Sequence, residues 1–139
     1  MKKEVLVSVS GLQYDVGSED SIEVVSPGKY YLKNGKHYVI YNDDSANDGD
    51  SVRVRLIVTE NRVDMDMAGA RNTGMTFEKG RNHVSMYGTE YGNVRLGIYT
   101  SYLHVDVRED GMYICIKYAL EINYEKVSDC KIVIRVDGK

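Results

Sequence analysis

The stretch Met112-Tyr113-Ile114-Cys115-Ile116-Lys117-Tyr118-Ala119-Leu120-Glu121-Ile122-Asn123-Tyr124 alternates apolar with more polar side chains over its whole length. Such period-two alternation predicts a β-strand that buries one face. The face that we expect to be buried holds Met112, Ile114, Ile116, Tyr118, Leu120, Ile122 and Tyr124. These 13 residues would span about 43 Å at about 3.3 Å each, whereas an ordinary strand has about five or six residues. So long a strand must coil, and we therefore predict a closed or nearly closed antiparallel barrel in preference to a flat sandwich.

The segment from Val52 to Gly69 predicts a hairpin with well-matched faces. A two-residue turn at Glu60-Asn61 makes one face wholly apolar, with Val58 opposite Val63, Leu56 opposite Met65 and Val54 opposite Met67. The other face puts Arg55 opposite Asp66, and its diagonals bring Arg53 to Asp66 and Arg55 to Asp64. A slip of one residue would turn charges toward the core, so the register is well specified.

A second hairpin is predicted at Asn34-Gly35, because both residues tolerate the positive φ that a type I′ turn requires. It gives one shared face to Tyr30, Leu32, His37, Val39 and Tyr41. A third is predicted at Lys79-Gly80, after which Val84 and Met86 would continue the apolar face of Met75 and Phe77.

The C-terminal half extends the same pattern to about eight to ten strands with little or no helix. Asn93 to Arg108 predicts one long bent strand or two short ones, in which the inward residues are Val94, Leu96 and Ile98 and then Leu103, Val105 and Val107. Lys131 to Val136 is expected to return along the long strand after a turn at Glu125 to Asp129. That turn would put Cys130 opposite Tyr124 and about 30 Å from Cys115, which excludes a disulfide.

Composition limits the classes of protein that this chain can represent. Its 139 residues predict one domain, spanning 1–139. The 18 Lys and Arg residues against 21 Asp and Glu give a net charge of −3, so general nucleic-acid binding is not expected. We find no apolar run long enough for a signal peptide or a membrane-spanning helix, and we expect a soluble, cytoplasmic protein.

Four short motifs together resemble a known family. They are Arg71-Asn72-Thr73-Gly74-Met75-Thr76-Phe77-Glu78-Lys79-Gly80, Gly88-Thr89-Glu90-Tyr91-Gly92, Leu96-Gly97-Ile98-Tyr99-Thr100 and Tyr118-Ala119-Leu120-Glu121-Ile122-Asn123. Their order and spacing resemble the YwiB-like family of uncharacterised bacterial proteins, in which Glu90 often has a proline as its counterpart. The resemblance implies a calycin-like (lipocalin-like) β-barrel and a bacterial cytoplasmic setting, but no reaction. Calycin barrels as a group suggest internal binding of small apolar molecules, although fold alone does not carry function.

The candidate ligand-binding residues come from the predicted inner wall and its rim. Five methionines and the single phenylalanine fall on predicted apolar faces, and we expect Met65, Met67, Met75, Phe77, Met86 and Met112 to line the interior. A flexible, Met-rich wall could adapt to a small apolar or amphipathic ligand, whose carboxylate Arg71 would bind at the rim. The alternative is a filled barrel without internal ligand that acts as a homodimer or a protein-interaction module.

Sequence signals for metal binding, cofactor binding and catalysis are weak. We predict no metal site and no cofactor. His83 and His104 are expected to face outward and His37 inward, which separates the possible zinc ligands. The acidic loop from Asp43 to Asp50 lacks the ligand spacing of an EF-hand. No recognisable catalytic motif occurs. An enzyme with its site at the rim stays open as a third reading, and it would require Arg71, His37 and a carboxylate in one pocket.

Overall fold

Ten antiparallel strands account for almost all of the described chain. The computed structural model describes residues 3–11, 23–43, 52–68, 73–89 and 92–139. The strands are β1 (Glu4–Ser10), β2 (Glu23–Lys33), β3 (Lys36–Asp43), β4 (Val52–Val58), β5 (Arg62–Ala68), β6 (Thr73–Glu78), β7 (Asn82–Thr89), β8 (Gly92–Arg108), β9 (Gly111–Ile122) and β10 (Glu125–Gly138). Within these ranges there is no helix.

The strands form one sheet in the order β6-β5-β4-β3-β2-β1-β10-β9-β8-β7. The two edges, β6 and β7, are neighbours in sequence, and the sheet curls until they approach each other along a seam. Near the seam Phe77 of β6 contacts Tyr118 of β9, with ring centroids 5.0 Å apart. The amide of Gly80 donates to the carbonyl of Thr100 at 2.8 Å. The all-β, nearly closed antiparallel barrel is thereby confirmed.

Both of the well-specified hairpins form in the predicted register. Leu56 pairs with Met65 and Arg55 with Asp66 across β4 and β5. Asn34 and Gly35 join β2 to β3 with φ values of 54° and 76°, as a type I′ turn requires. The directly opposite pair of Arg55 with Asp66 forms at 2.9 Å, as predicted. The diagonal pairs are not found among the described residues, and Asp64 pairs with Arg62.

The segment that predicts one long bent strand or two short ones forms one continuous strand, β8. Its pairing with β9 shifts register between Thr100 and Tyr102. A β-bulge adds one residue to a strand and so exchanges its inward and outward positions. This bulge explains why the inward residues change from even numbers, such as Ile98, to odd numbers, such as Leu103.

The predicted β6–β7 hairpin is wrong. The amide of Arg81 closes a tight turn on the carbonyl of Glu78 at 3.0 Å, but β7 then pairs with β8 and not with β6. Because β8 sets the register, Val84 and Met86 face outward and His83 faces inward, opposite the buried Ile98.

The predicted turn at Glu125 to Asp129 is also wrong. Asn123 and Tyr124 form a turn with φ values of 50° and 73°, so Tyr124 leaves the predicted inward set and is 78% exposed. Cys130 then pairs with Tyr118 and Cys115 with Val133, about 10 Å apart along the ladder. Cys130 lies opposite the inward-facing Tyr118 and therefore faces inward. Cys115 is three residues before Tyr118 on β9 and therefore faces outward, so the two free thiols lie on opposite faces of the sheet.

Candidate functional site

Most of the predicted inner-wall residues meet inside the barrel. Met65 pairs with Met75 across β5 and β6, and Phe77 pairs with Val63 in the next inward row. The predicted residues that lie in the buried core are Met65, Met67, Met75, Phe77 and Met112. Ligand binding by these residues stays a prediction.

Packing in the middle of this core is tight. Met65 and Phe77 have 0% exposed surface, which means that no space large enough for a water molecule adjoins either side chain. The same holds for residues on other strands, among them Val39, Ile114 and Ile132. At these positions the described side chains fill the interior themselves, as an eight- to ten-stranded barrel allows.

Two of the predicted ligand-binding residues are not found with this cluster. Met86 lies on the outer face of β7 and is 58% exposed, because β7 takes its register from β8. Its place on the inner wall was predicted wrongly. Arg71 lies outside the described residues, as does all of the acidic loop beyond Asp43.

His37 lies on the inner face near the end of the β2–β3 hairpin. Its Nδ1 is 2.6 Å from the hydroxyl of Tyr30, and the two rings stack with centroids 5.8 Å apart. Burial lowers the pKa of His37 and raises the pKa of Tyr30. Burial therefore disfavours the charged form of both side chains, and the 2.6 Å contact joins two polar groups that face the interior.

Polar groups also lie on the inner side of the seam. His83 was expected on the outer face, but it faces inward and its Nε2 is 3.0 Å from Oε1 of Glu78. The hydroxyls of Ser85 and Thr100 are buried without a hydrogen-bond partner. The Ser85 hydroxyl therefore makes no hydrogen bond to His83. Among the described residues, no group of three or more His, Cys, Asp or Glu side chains is placed to hold a metal ion.

An exposed patch, which we term the tyrosine face, covers the outside of β7 and β8. It consists of Val84, Met86, Arg95, Tyr99 and Tyr124. Val84, Met86, Tyr99 and Tyr124 are among the exposed large apolar side chains. The Arg95 guanidinium lies 4.1 Å from the centre of the Tyr124 ring, and its Nη1 is buried without a hydrogen-bond partner. Because Met86 and Val84 turn outward beside Arg95, this outer face is partly apolar.

A second surface feature lies between β2 and β3, where an open groove has a volume of about 440 Å³. We term it the β2–β3 opening. The described residues that line it include Glu4, Pro27, Lys29, Ile40, Asn42, Arg53 and Lys139. Pro27, the one proline of the chain, is the sequence signal for this interruption, because proline cannot donate a hydrogen bond to a neighbouring strand.

Comparison with known proteins gives a family but no reaction. The protein named Uncharacterized beta-barrel protein YwiB, from Bacillus subtilis (strain 168), is 26% identical over 140 residues, which cover 99% of this chain and 97% of that one. The crystal structure of the ywiB protein from Bacillus subtilis matches with a TM-score of 0.81 at 25% identity, covering 100% of this chain and 95% of that one. No helix in the described ranges is long and apolar enough to cross a membrane. The family described as Domain of unknown function (DUF1934) matches residues 7–134, and the chain therefore belongs to this family of β-barrel proteins.

Proposed function

We propose that this protein is a non-catalytic β-barrel that acts through its outer surface and binds a second copy of itself by the tyrosine face. The observation that carries the proposal is the grouping of exposed Val84, Met86, Tyr99 and Tyr124 around Arg95. Contiguous exposed apolar patches are uncommon on monomeric proteins and mark interaction sites. Tyr, Met and Arg are also the residue types enriched in the cores of protein interfaces.

The charges of the tyrosine face favour a second copy as its occupant. Arg95 lies 3.9 Å from the carboxylate of Glu121, too far for a hydrogen bond, and the two side chains are 20% and 40% exposed. In a two-fold dimer the same patch meets itself, so a residue of one subunit contacts its complement on the other. Arg95 of each copy would then reach Glu121 of the other, while the apolar side chains pack between these pairs.

The tight core also supports a function at the surface. Met65 and Phe77 have no exposed surface, so a ligand could enter among them only by displacing packed side chains. Such displacement costs the contacts that stabilise the barrel.

Association of wild-type protein is measured by sedimentation velocity over a range of concentrations, alongside Met86→Glu. We expect a dimer for the wild type and a monomer for the variant, because a carboxylate at the centre of an apolar interface is costly to desolvate. Leu32→Glu is the matched control. Leu32 is 60% exposed, close to the 58% of Met86, but it lies on β2, away from the tyrosine face. A monomeric wild type, or equal effects of the two variants, would refute the proposal.

Internal binding of an apolar or amphipathic molecule is the second candidate. It is supported by the pairing of Met65 with Met75 across β5 and β6, next to Phe77. Unbranched thioether side chains repack more readily than branched ones, which would help the core to admit a ligand. Native mass spectrometry of gently purified protein and thermal shifts with decanoate would test it. A co-purified apolar species, or a saturable rise in Tm, is expected if the candidate is right, and the absence of both would exclude it. A bacterial cytoplasmic location is likewise proposed from the sequence resemblance.

A further inference from the structure

The β2–β3 opening arises where two strands that share a hairpin move apart. Their ladder stops at Gly28 opposite Tyr41. Beyond that point β2 continues to Glu23 against β1 alone, and β3 continues to Asp43 against β4 alone. Pro27 has no amide hydrogen with which to extend the ladder. The gap is therefore a direct consequence of the chain's one proline.

Three of the described residues that line this gap are basic: Lys29, Arg53 and Lys139. Within the described part of the chain, neither Lys29 nor Arg53 has a carboxylate within ion-pair distance. Arg55, two residues along β4 on the same face, is by contrast bonded to Asp66 at 2.9 Å. Lys29 pairs with Ile40 and Arg53 with Asn42, so the two cations flank β3 with Cα atoms about 12 Å apart at ordinary strand spacings. Side chains of this length can converge on one group held between them.

We propose that the β2–β3 opening binds a small organic anion, a phosphate monoester or carboxylate with an apolar group attached. The guanidinium of Arg53 provides a planar pair of donors for the anionic oxygens. Lys29 adds a second positive charge, and the side-chain amide of Asn42 lies beside Arg53 in the register. Ile40 and Pro27 offer an apolar surface for the rest of the ligand. This inference does not depend on the tyrosine face, which lies on other strands.

Glu4 gives the opening an internal test. It is the acidic side chain among the described residues that line the opening, and its Cα lies opposite that of Lys29. A bound anion would be repelled by this carboxylate, so Glu4→Gln should tighten binding. An attraction caused only by the protein's overall charge is not expected, because the chain as a whole carries −3.

The experiment titrates the full chain with phenyl phosphate, with phenol as the neutral analogue, and follows backbone amide resonances by NMR. We expect saturable shifts at Lys29, Ile40, Asn42 and Arg53 with phenyl phosphate and none with phenol. Arg53→Gln should weaken binding about ten-fold, the usual effect of losing a hydrogen bond to a charged group. Benzoate in place of phenyl phosphate shows whether the site prefers phosphate or carboxylate.

Arg55→Gln is the matched control, because it removes the same unit of charge from the same strand outside the opening. Its affinity for phenyl phosphate should fall much less than that of Arg53→Gln, since Arg55 does not line the opening and is already bonded to Asp66. Three results would overturn the proposal: no saturable shifts with either anion, shifts centred elsewhere, or equal losses in the two arginine variants.

Discussion

At the scale of single residues, Thr100 is a source of instability in the core. It has 0% exposed surface, and its hydroxyl has no hydrogen-bond partner. A buried hydroxyl without a partner costs about 1–3 kcal/mol. Thr100→Val keeps the shape and removes that cost, so the free energy of unfolding should rise by about 1 kcal/mol in urea titrations.

Thr76→Val is the control for this prediction. The Thr76 hydroxyl donates to Oδ1 of Asp64 at 2.8 Å, so its removal should lower the free energy of unfolding by about 1 kcal/mol. If Thr100→Val destabilised the protein as Thr76→Val does, the Thr100 hydroxyl would have to be bonded in solution.

His37 makes stability depend on pH. Burial lowers its pKa in the folded protein, whereas the unfolded chain titrates near the ordinary value of about 6.5. As pH falls through about 6.5, the imidazole is protonated in the unfolded state but not in the folded state. The free energy of unfolding therefore decreases. The decrease stops once the pH is below the folded pKa. We expect this component in urea titrations between about pH 7.5 and 5.

His37→Gln should remove the His37 component of that pH dependence, while the exposed His104→Gln should retain it. The ring proton resonances of His37 provide an independent check by NMR titration. If the His37 imidazole titrated at or above the ordinary value of about 6.5, burial would not lower its pKa and the prediction would be wrong.

At the scale of elements, the turn between β9 and β10 holds a bulky residue in the left-handed region. Tyr124 has a φ of 73°, which costs an L-residue other than glycine about 1–2 kcal/mol. Its contact with Arg95 returns about 0.5–1 kcal/mol. Tyr124→Gly relieves the strain and loses the contact, whereas Tyr124→Ala loses the contact and keeps the strain.

The glycine variant should therefore be more stable than the alanine variant by about 1 kcal/mol in thermal or urea unfolding. Comparing the two variants isolates the backbone term, because neither has the ring. Equal stabilities would mean that the turn changes conformation when the tyrosine is absent.

The elements also show what sequence patterns can and cannot specify. Within β4 and β5, alternation and turn chemistry agree, and the register is predicted pair by pair, as for Leu56 with Met65. The pattern of β7 is equally regular, but it contains no information about its partner. Once β7 pairs with β8 and not with β6, its phase reverses, and Met86 and His83 exchange faces. The tyrosine face could not be predicted for this reason, because it depends on whether β7 pairs with the strand before it or with the strand after it.

At the scale of the whole molecule, closure decides what the interior can do. The pairing of β1 with β10 joins strands β1 to β6 and strands β7 to β10 into one sheet. The approach of β6 to β7 then almost closes that sheet into a barrel. This shape follows from the long alternating strands and was predictable from the sequence. Whether side chains fill the enclosed space was not, because it depends on shear and on how rows such as Met65 with Met75 and Phe77 with Val63 interdigitate.

A filled interior predicts that alanine substitutions of Met65 and Met86 change the free energy of unfolding by very different amounts. Met65→Ala should lower the free energy of unfolding by about 2–5 kcal/mol, because it removes buried groups and leaves a cavity in a core that has no free space nearby. Met86→Ala should change it by less than about 0.5 kcal/mol, since the side chain is largely in contact with water. The measurement is urea unfolding of both variants at a concentration where each is monomeric. A small effect of Met65→Ala would mean that the wall around it is loose enough to collapse or already hollow, and internal ligand binding would then become the better reading of the methionine cluster.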